Sequence, residues 1–280
     1  MISENFFEAI SVIKAVCKHS LVNLFISSFD FLKISFFSNS VFIFDGIHAD
    51  TEIIIDNGTI NITKSYEAIE ASKITINNGE IKAVASDDGI NVAGGADSSA
   101  MDRPGANNYS NNSDNILTIN GGNIYINSVG DGIDINGSGY INGGKIVVEG
   151  PTSDGNGILD YDNELVAKNA EIIAAGSSGM FQELSSNSEV YNVNIYFTST
   201  ISSNKKITIT DSSNNEIISY TSSKSISTMV VATPKFQNGE TYTIKIDGSN
   251  YSSFTISNIS TTVGNNYNSM GGGRRNPGRR

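Results

Sequence analysis

Along most of this chain apolar and polar residues alternate in short β-branched runs, each cut off by a turn before it is long enough for a helix. Lys73-Ile74-Thr75-Ile76 and Lys145-Ile146-Val147-Val148 have the pattern of strands that bury one face. The turns between them recur in phase, as Ile55-Asp56-Asn57-Gly58, Ile76-Asn77-Asn78-Gly79, Ile119-Asn120-Gly121-Gly122 and Ile141-Asn142-Gly143-Gly144. Asn-Gly and Gly-Gly accept positive φ at little steric cost, which makes them turn dipeptides. A second signature keeps step with the first: Asp45-Gly46-Ile47, Glu67-Ala68-Ile69, Asp88-Gly89-Ile90, Asp131-Gly132-Ile133 and Asn156-Gly157-Ile158. Gly46, Ala68 and Gly89 stand 22 and 21 residues apart, the period of a solenoid coil.

Many short strands at regular spacing suit either a parallel β-helix or an antiparallel sandwich or barrel. Phase locking favours the first. In a β-helix, equivalent residues of successive coils stack about 4.8 Å apart and form columns of one residue type, whereas a meander gives no reason for such columns. Ile47, Ile69, Ile90, Ile133 and Ile158 are expected to form one inward column, and Ile60, Ile81, Ile124 and Ile146 another. The expected fold is therefore all-β: a right-handed parallel β-helix over 45–186 with three strands per coil, its hand set by the usual crossover rule. A polar stretch over 93–115, with Gly94-Gly95-Ala96-Asp97-Ser98 and Asn107-Asn108-Tyr109-Ser110-Asn111-Asn112, breaks the phase and reads as a loop insertion.

The ends of the chain follow other patterns. Over 187–263 alternating runs are separated by Asp211-Ser212-Ser213-Asn214-Asn215 and Asn238-Gly239-Glu240, the mark of antiparallel hairpins in a β cap or small sandwich. The Gly- and Arg-rich residues 264–280 are expected to form a flexible tail. Residues 1–44 hold nine of the thirteen phenylalanines and no glycine. This apolar head reads as a cap, helical or extended, over the open end of the stack, or as a start foreign to the rest. Glu4, Glu8, Lys14, Lys18 and Asp30 interrupt its apolar runs, so neither a recognisable signal peptide nor a membrane span is expected.

Charge narrows the function. A net charge of -11 and a pI near 4.6 argue against a nucleic-acid partner, which would need clustered Lys and Arg. The acids are patterned. The position after each signature isoleucine points away from the core and carries His48, Glu70, Asn91 and Asp134, so it stacks beside Glu67, Asp88 and Asp131. Like charges on adjacent strands repel, by roughly 1 kcal/mol in water at about 5 Å and several at lower effective dielectric. Such a ladder calls for a counter-charge, and basic side chains are scarce at that phase. Glu67, Glu70, Asp87, Asp88, Asn91, Asp131, Asp134, Asp154 and Asp160 are the candidate metal ligands, and an oxygen donor set selects calcium over zinc or copper. The alternative is that Asp-Gly and Asn-Gly simply build turns. The insertion places Asp97, Tyr109 and Asn111 as candidate ligand-binding residues.

The run from Asp45 through Ala85-Ser86-Asp87-Asp88-Gly89-Ile90-Asn91 to Gly130-Asp131-Gly132-Ile133-Asp134, together with Gly239-Glu240-Thr241-Tyr242-Thr243, resembles the secreted bacterial carbohydrate-binding β-helix proteins related to pectate lyases. That resemblance implies calcium held by stacked acids, an extracellular or cell-surface location, and binding of plant cell-wall polysaccharide, acidic pectin or a cellulosic chain, without catalysis. Calcium would bridge protein carboxylates to uronate carboxylates. The alternative is a calcium-dependent polysaccharide lyase with Lys82, Lys64 or Lys145 as base. A third reading is a structural or adhesive surface protein that self-associates.

Overall fold

The computed structural model describes residues 45–93 and 114–265 in full, and the backbone of 11–17, 20–26 and 32–34. Among these residues the protein is all-β, with no helix and no closed barrel. No helix there is long and apolar enough to cross a membrane.

From Ile47 to Gly176 the chain visits three sheets in the same order five times. The second circuit shows the plan, with Ile69–Glu70 in one sheet, Lys73–Ile76 in the next and Glu80–Ala85 in the third. Each strand pairs in parallel with its counterpart one circuit on. Ile60, Ile81, Ile124 and Ile146 align in one unbroken register, and all are buried. Their inward positions follow from the period of two, which turns alternate side chains to one face. The turn glycines form a column of their own: Gly58, Gly79, Gly122 and Gly144 all have positive φ, between 93° and 128°. Beside them the exposed amides hydrogen-bond in a ladder, Asn77 to Asp56, Asn120 to Asn77 and Asn142 to Asn120, at 2.7 to 2.8 Å.

The other isoleucine column departs from expectation by one residue. Ile47, Ile69, Ile90 and Ile133 align, but the fifth member is Leu159, not Ile158. The reason lies in the backbone: Ile133 N–H donates to the carbonyl of Ile158, so Gly157 takes the place of the acid and Ile158 that of the glycine. Ile158 still lies in the core.

The ends are extended as well. Ser11–Cys17, Ser20–Ile26 and Leu32–Ile34 are strands, which removes the helical option for the described part of the head. Ser11–Cys17 pairs antiparallel with Glu52–Ile55, and Leu32–Ile34 pairs parallel with Thr59–Ser65. The edges of the first circuit thus gain backbone partners, which exposed edges otherwise seek from other chains. At the far end Ile226–Ala232 adds antiparallel to Glu171–Gly176 and carries Asn192–Ile201. Four antiparallel strands, Glu216–Thr221, Lys206–Thr210, Thr241–Ile246 and Ser249–Thr255, form a separate sheet. A second apolar core, with Ile173, Val193, Ile209, Met229, Ile244 and Phe254, joins that sheet to the outer face of Glu171–Gly176.

The two parts are also tied by a half-buried cation. Lys224 Nζ donates to the carbonyls of Ser128, Glu149 (3.1 Å) and Gly150 (3.0 Å). Glu149, itself buried, accepts from the Ser223 hydroxyl and from the Ser223 N–H at 2.9 Å. Burial lowers the Lys224 pKa to about 8.

Candidate functional site

The acidic signature lines one side of the five-stranded sheet, which runs Ile47–His48, Ile69–Glu70, Ile90–Val92, Ile133–Ile135 and Leu159–Tyr161. Its second position is small because successive circuits approach closely there. A Cβ at Gly46 would lie 2.6 Å from the Ala68 carbonyl oxygen, and one at Gly89 would lie 2.5 Å from that of Gly132. This crowding stacks the preceding acids. The three aspartates then accept from the backbone of the next circuit: Glu67 N–H donates to Asp45 Oδ1 at 3.2 Å, Asp131 N–H to Asp88 Oδ1 at 2.6 Å, and Gly157 N–H to Asp131 Oδ1. The turn role weighed for these acids is thus realised between circuits.

The position after the isoleucine forms the facing column, with His48, Glu70, Asn91, Asp134 and Asp160 in register. Glu70 and Asn91 point away from the core and are nonetheless buried. Alternation decides only which side of a strand a residue takes, and here the neighbouring carboxylate column closes over that side.

Two groups converge. Asp88, Asp131 and Asp134 bring carboxylate oxygens within 4.8 Å of one another, and so do Asp45, His48 and Glu70 with their own ligand atoms. The insertion between Asp88 and Asp131 does not separate them, since Ile90 pairs directly with Ile133. Burial first, and then neighbouring carboxylates, push the Asp88 carboxyl up to about 8 and that of Asp134 up to about 7. Asp131 rises to about 6, mainly through burial, while its bond from Gly157 N–H works the other way. Between the two groups sits Glu67, pushed up to about 10 by burial and by Glu70. Its Oε2 and the Oδ1 of Asn91 are buried with no hydrogen-bond partner.

Asp87 and Asp160 border the first group, and the other candidates have partners elsewhere. Asp87 bonds Tyr66 and acts on Asp88 through its charge, Asp160 accepts from Gln182 at 3.1 Å, and Asp154 accepts from Ser177 at 2.9 Å. Lys64, Lys82 and Lys145 belong to strands of the third sheet, Thr59–Ser65, Glu80–Ala85 and Lys145–Glu149. Lys82 Nζ lies 5.7 Å from the centre of the Tyr125 ring, and Lys145 pairs with Glu171 at 3.3 Å. Asp97, Tyr109 and Asn111 fall outside the described residues.

Sequence reasoning missed Asp45 as a member of an acidic group and His48 as a counter-charge. The signal was present: Asp45-Gly46-Ile47-His48 is the first copy of the signature, with the imidazole at the phase of Glu70. His48 Nδ1 lies 2.5 Å from Glu70 Oε2, and that bond raises the imidazole to about 9 even against its partial burial. The first circuit therefore carries a cation of its own, and among the described residues no basic side chain is among the charges that act on Asp88, Asp131 and Asp134.

A family model described as a carbohydrate-binding domain-containing protein matches residues 38–89. The matched stretch includes Asp45, His48, Glu67, Glu70, Asp87 and Asp88, and this likeness supports carbohydrate binding. No curated protein and no solved structure matches the chain.

Proposed function

We propose that this chain is a right-handed parallel β-helix that binds an acidic cell-wall polysaccharide of the pectin class without transforming it, outside the cell or at its surface. Calcium held by Asp88, Asp131 and Asp134 links the protein to the uronate carboxylates of the polymer. The observation that carries this reading is the convergence of three carboxylates from adjacent circuits, with only acidic side chains acting on them among the described residues. Their donor set is all oxygen, as calcium requires, and sugar oxygens can complete the six to eight ligands the ion takes. Beside the group, the buried Oε2 of Glu67 and Oδ1 of Asn91 lack hydrogen-bond partners, an arrangement that costs free energy until something answers it.

The cation also answers the electrostatic problem, because an acidic chain with a net charge of -11 otherwise repels an acidic polymer. Titration calorimetry with polygalacturonate, with calcium and then with chelator, tests the reading. Binding is expected with calcium alone, and equal binding under both conditions overturns it. The lyase alternative gains nothing from Lys82 or Lys145, whose partners are Tyr125 and Glu171. Growth of ultraviolet absorbance from an unsaturated uronate product during incubation with pectate would overturn the non-catalytic part.

A further inference from the structure

The group at the first two circuits differs in chemistry from the calcium-type group, because it contains a nitrogen. Asp45 Oδ2 and Glu70 Oε2 stand 3.6 Å and 2.5 Å from the same atom, His48 Nδ1. Ligands about 2.0–2.1 Å from a tetrahedral dication lie roughly 3.3 Å from one another, so these three atoms need little movement to enclose one. The far nitrogen of the ring faces another carboxylate, with Nε2 3.5 Å from Asp50 Oδ1. A metal-bound imidazole commonly donates its other N–H to a carboxylate, which holds the ring orientation and raises its basicity.

The second observation is Glu67. Its side chain is only 4 % exposed, its N–H donates to Asp45, and the charges acting on it include those of Glu70 and Asp45. Its Oε2 has no hydrogen-bond partner. A buried carboxylate oxygen left in this way costs free energy unless a proton or a cation answers it. The His48 side chain is 39 % exposed, so an ion can reach the group from solvent.

We propose that Asp45, His48 and Glu70 form a second cation site, selective for a zinc-class dication, with Asp50 orienting the imidazole and the unpartnered Oε2 of Glu67 buried beside it. The selectivity comes from the imidazole nitrogen, a good ligand for first-row transition ions and a poor one for calcium. Three protein ligands leave one position of a tetrahedral ion open to water or to a ligand oxygen. The site draws no residue from the Asp88, Asp131 and Asp134 group and stands independently of the carbohydrate reading.

The test is calorimetric titration of the full chain, stripped with chelator, with zinc in excess calcium. One zinc equivalent is expected to bind despite the calcium. His48→Gln should weaken it about 100-fold or more and Asp50→Asn about 10-fold, while Asp247→Asn, at an exposed ion pair with Lys205, leaves it unchanged. The chain has two histidines, His19 and His48. Proton NMR of the imidazole signals therefore gives a readout on the unaltered protein, with His19→Gln for assignment. Zinc should move the His48 signals and leave those of His19 in place. Zinc fully displaced by calcium, zinc bound equally by His48→Gln, or unmoved His48 signals would each overturn the proposal.

Discussion

The stacked carboxylates make the stability of the cation-free protein fall as pH rises, opposite to the trend set by paired acids. Burial and neighbouring carboxylates push Asp88, Asp134 and Asp131 up to about 8, 7 and 6 in the fold, from an ordinary 3.8. Raised values mean that, above about pH 4, the folded chain holds protons that the unfolded chain has released. The stability they contribute is fully present below the unfolded pKa and is lost as pH climbs through 6 to 8. Solvent reaches part of the group, so one proton's worth is taken here instead of three. That gives about 1.4 kcal/mol per pH unit, or roughly 3 kcal/mol between pH 5 and 7, against a usual total of about 5–15 kcal/mol. Asp45, raised to about 6, and His48, raised to about 9, act in the same direction. The exposed Asp211, Asp247 and Glu164 are lowered and act only in more acidic solution.

Calcium should take the place of the missing protons and remove the loss, adding about 2.7 kcal/mol at a hundred times its Kd. Thermal melts followed by circular dichroism at pH 5 and pH 7, with chelator and with calcium, read this directly. In chelator the Tm should drop by roughly 6–12 °C between the two pH values. Calcium should restore it at pH 7, and the Asp88→Asn, Asp131→Asn double variant should flatten both responses. A chelator Tm that is level or rises with pH, or a calcium response kept by the double variant, would refute the reasoning.

Ile90→Asp puts an unpaired charge into a fully buried column and should cost about 4 kcal/mol or more, read as lost denaturant stability. Gly89→Ala forces a Cβ to within 2.5 Å of the Gly132 carbonyl and should cost about 1–3 kcal/mol. Alanine at Gly155, with nothing within 4 Å, should be close to neutral in the same melts. Lys224→Met removes the donor shared by Ser128, Glu149 and Gly150 and leaves Glu149 buried, so a loss of about 3 kcal/mol is expected. Limited proteolysis should then cut first between 202 and 225, and an unchanged cleavage pattern would argue against Lys224 as a tie between the two cores.

By itself the sequence determined the strands, their inward faces and the turns. Ile81 and Ile124 stand in the same column, and Gly79 and Gly122 at the same φ sign, because a period of two within strands and of about 22 between them is written into residue type. It also placed Asp88 beside Asp131 once the polar insertion was set aside. What only the tertiary structure decided depends on neighbours from other circuits. The final register, with Leu159 instead of Ile158 beneath Ile133, follows backbone hydrogen bonds that no local motif encodes. The burial of Glu70 and Asn91 on an outward face, the pairing of His48 with Glu70 across 22 residues and the insertion of Lys224 into carbonyls some 75 to 96 residues away have the same origin. Alternation orients a side chain, but its charge state and partners are set by whatever packs against it, and that is a property of the assembled stack.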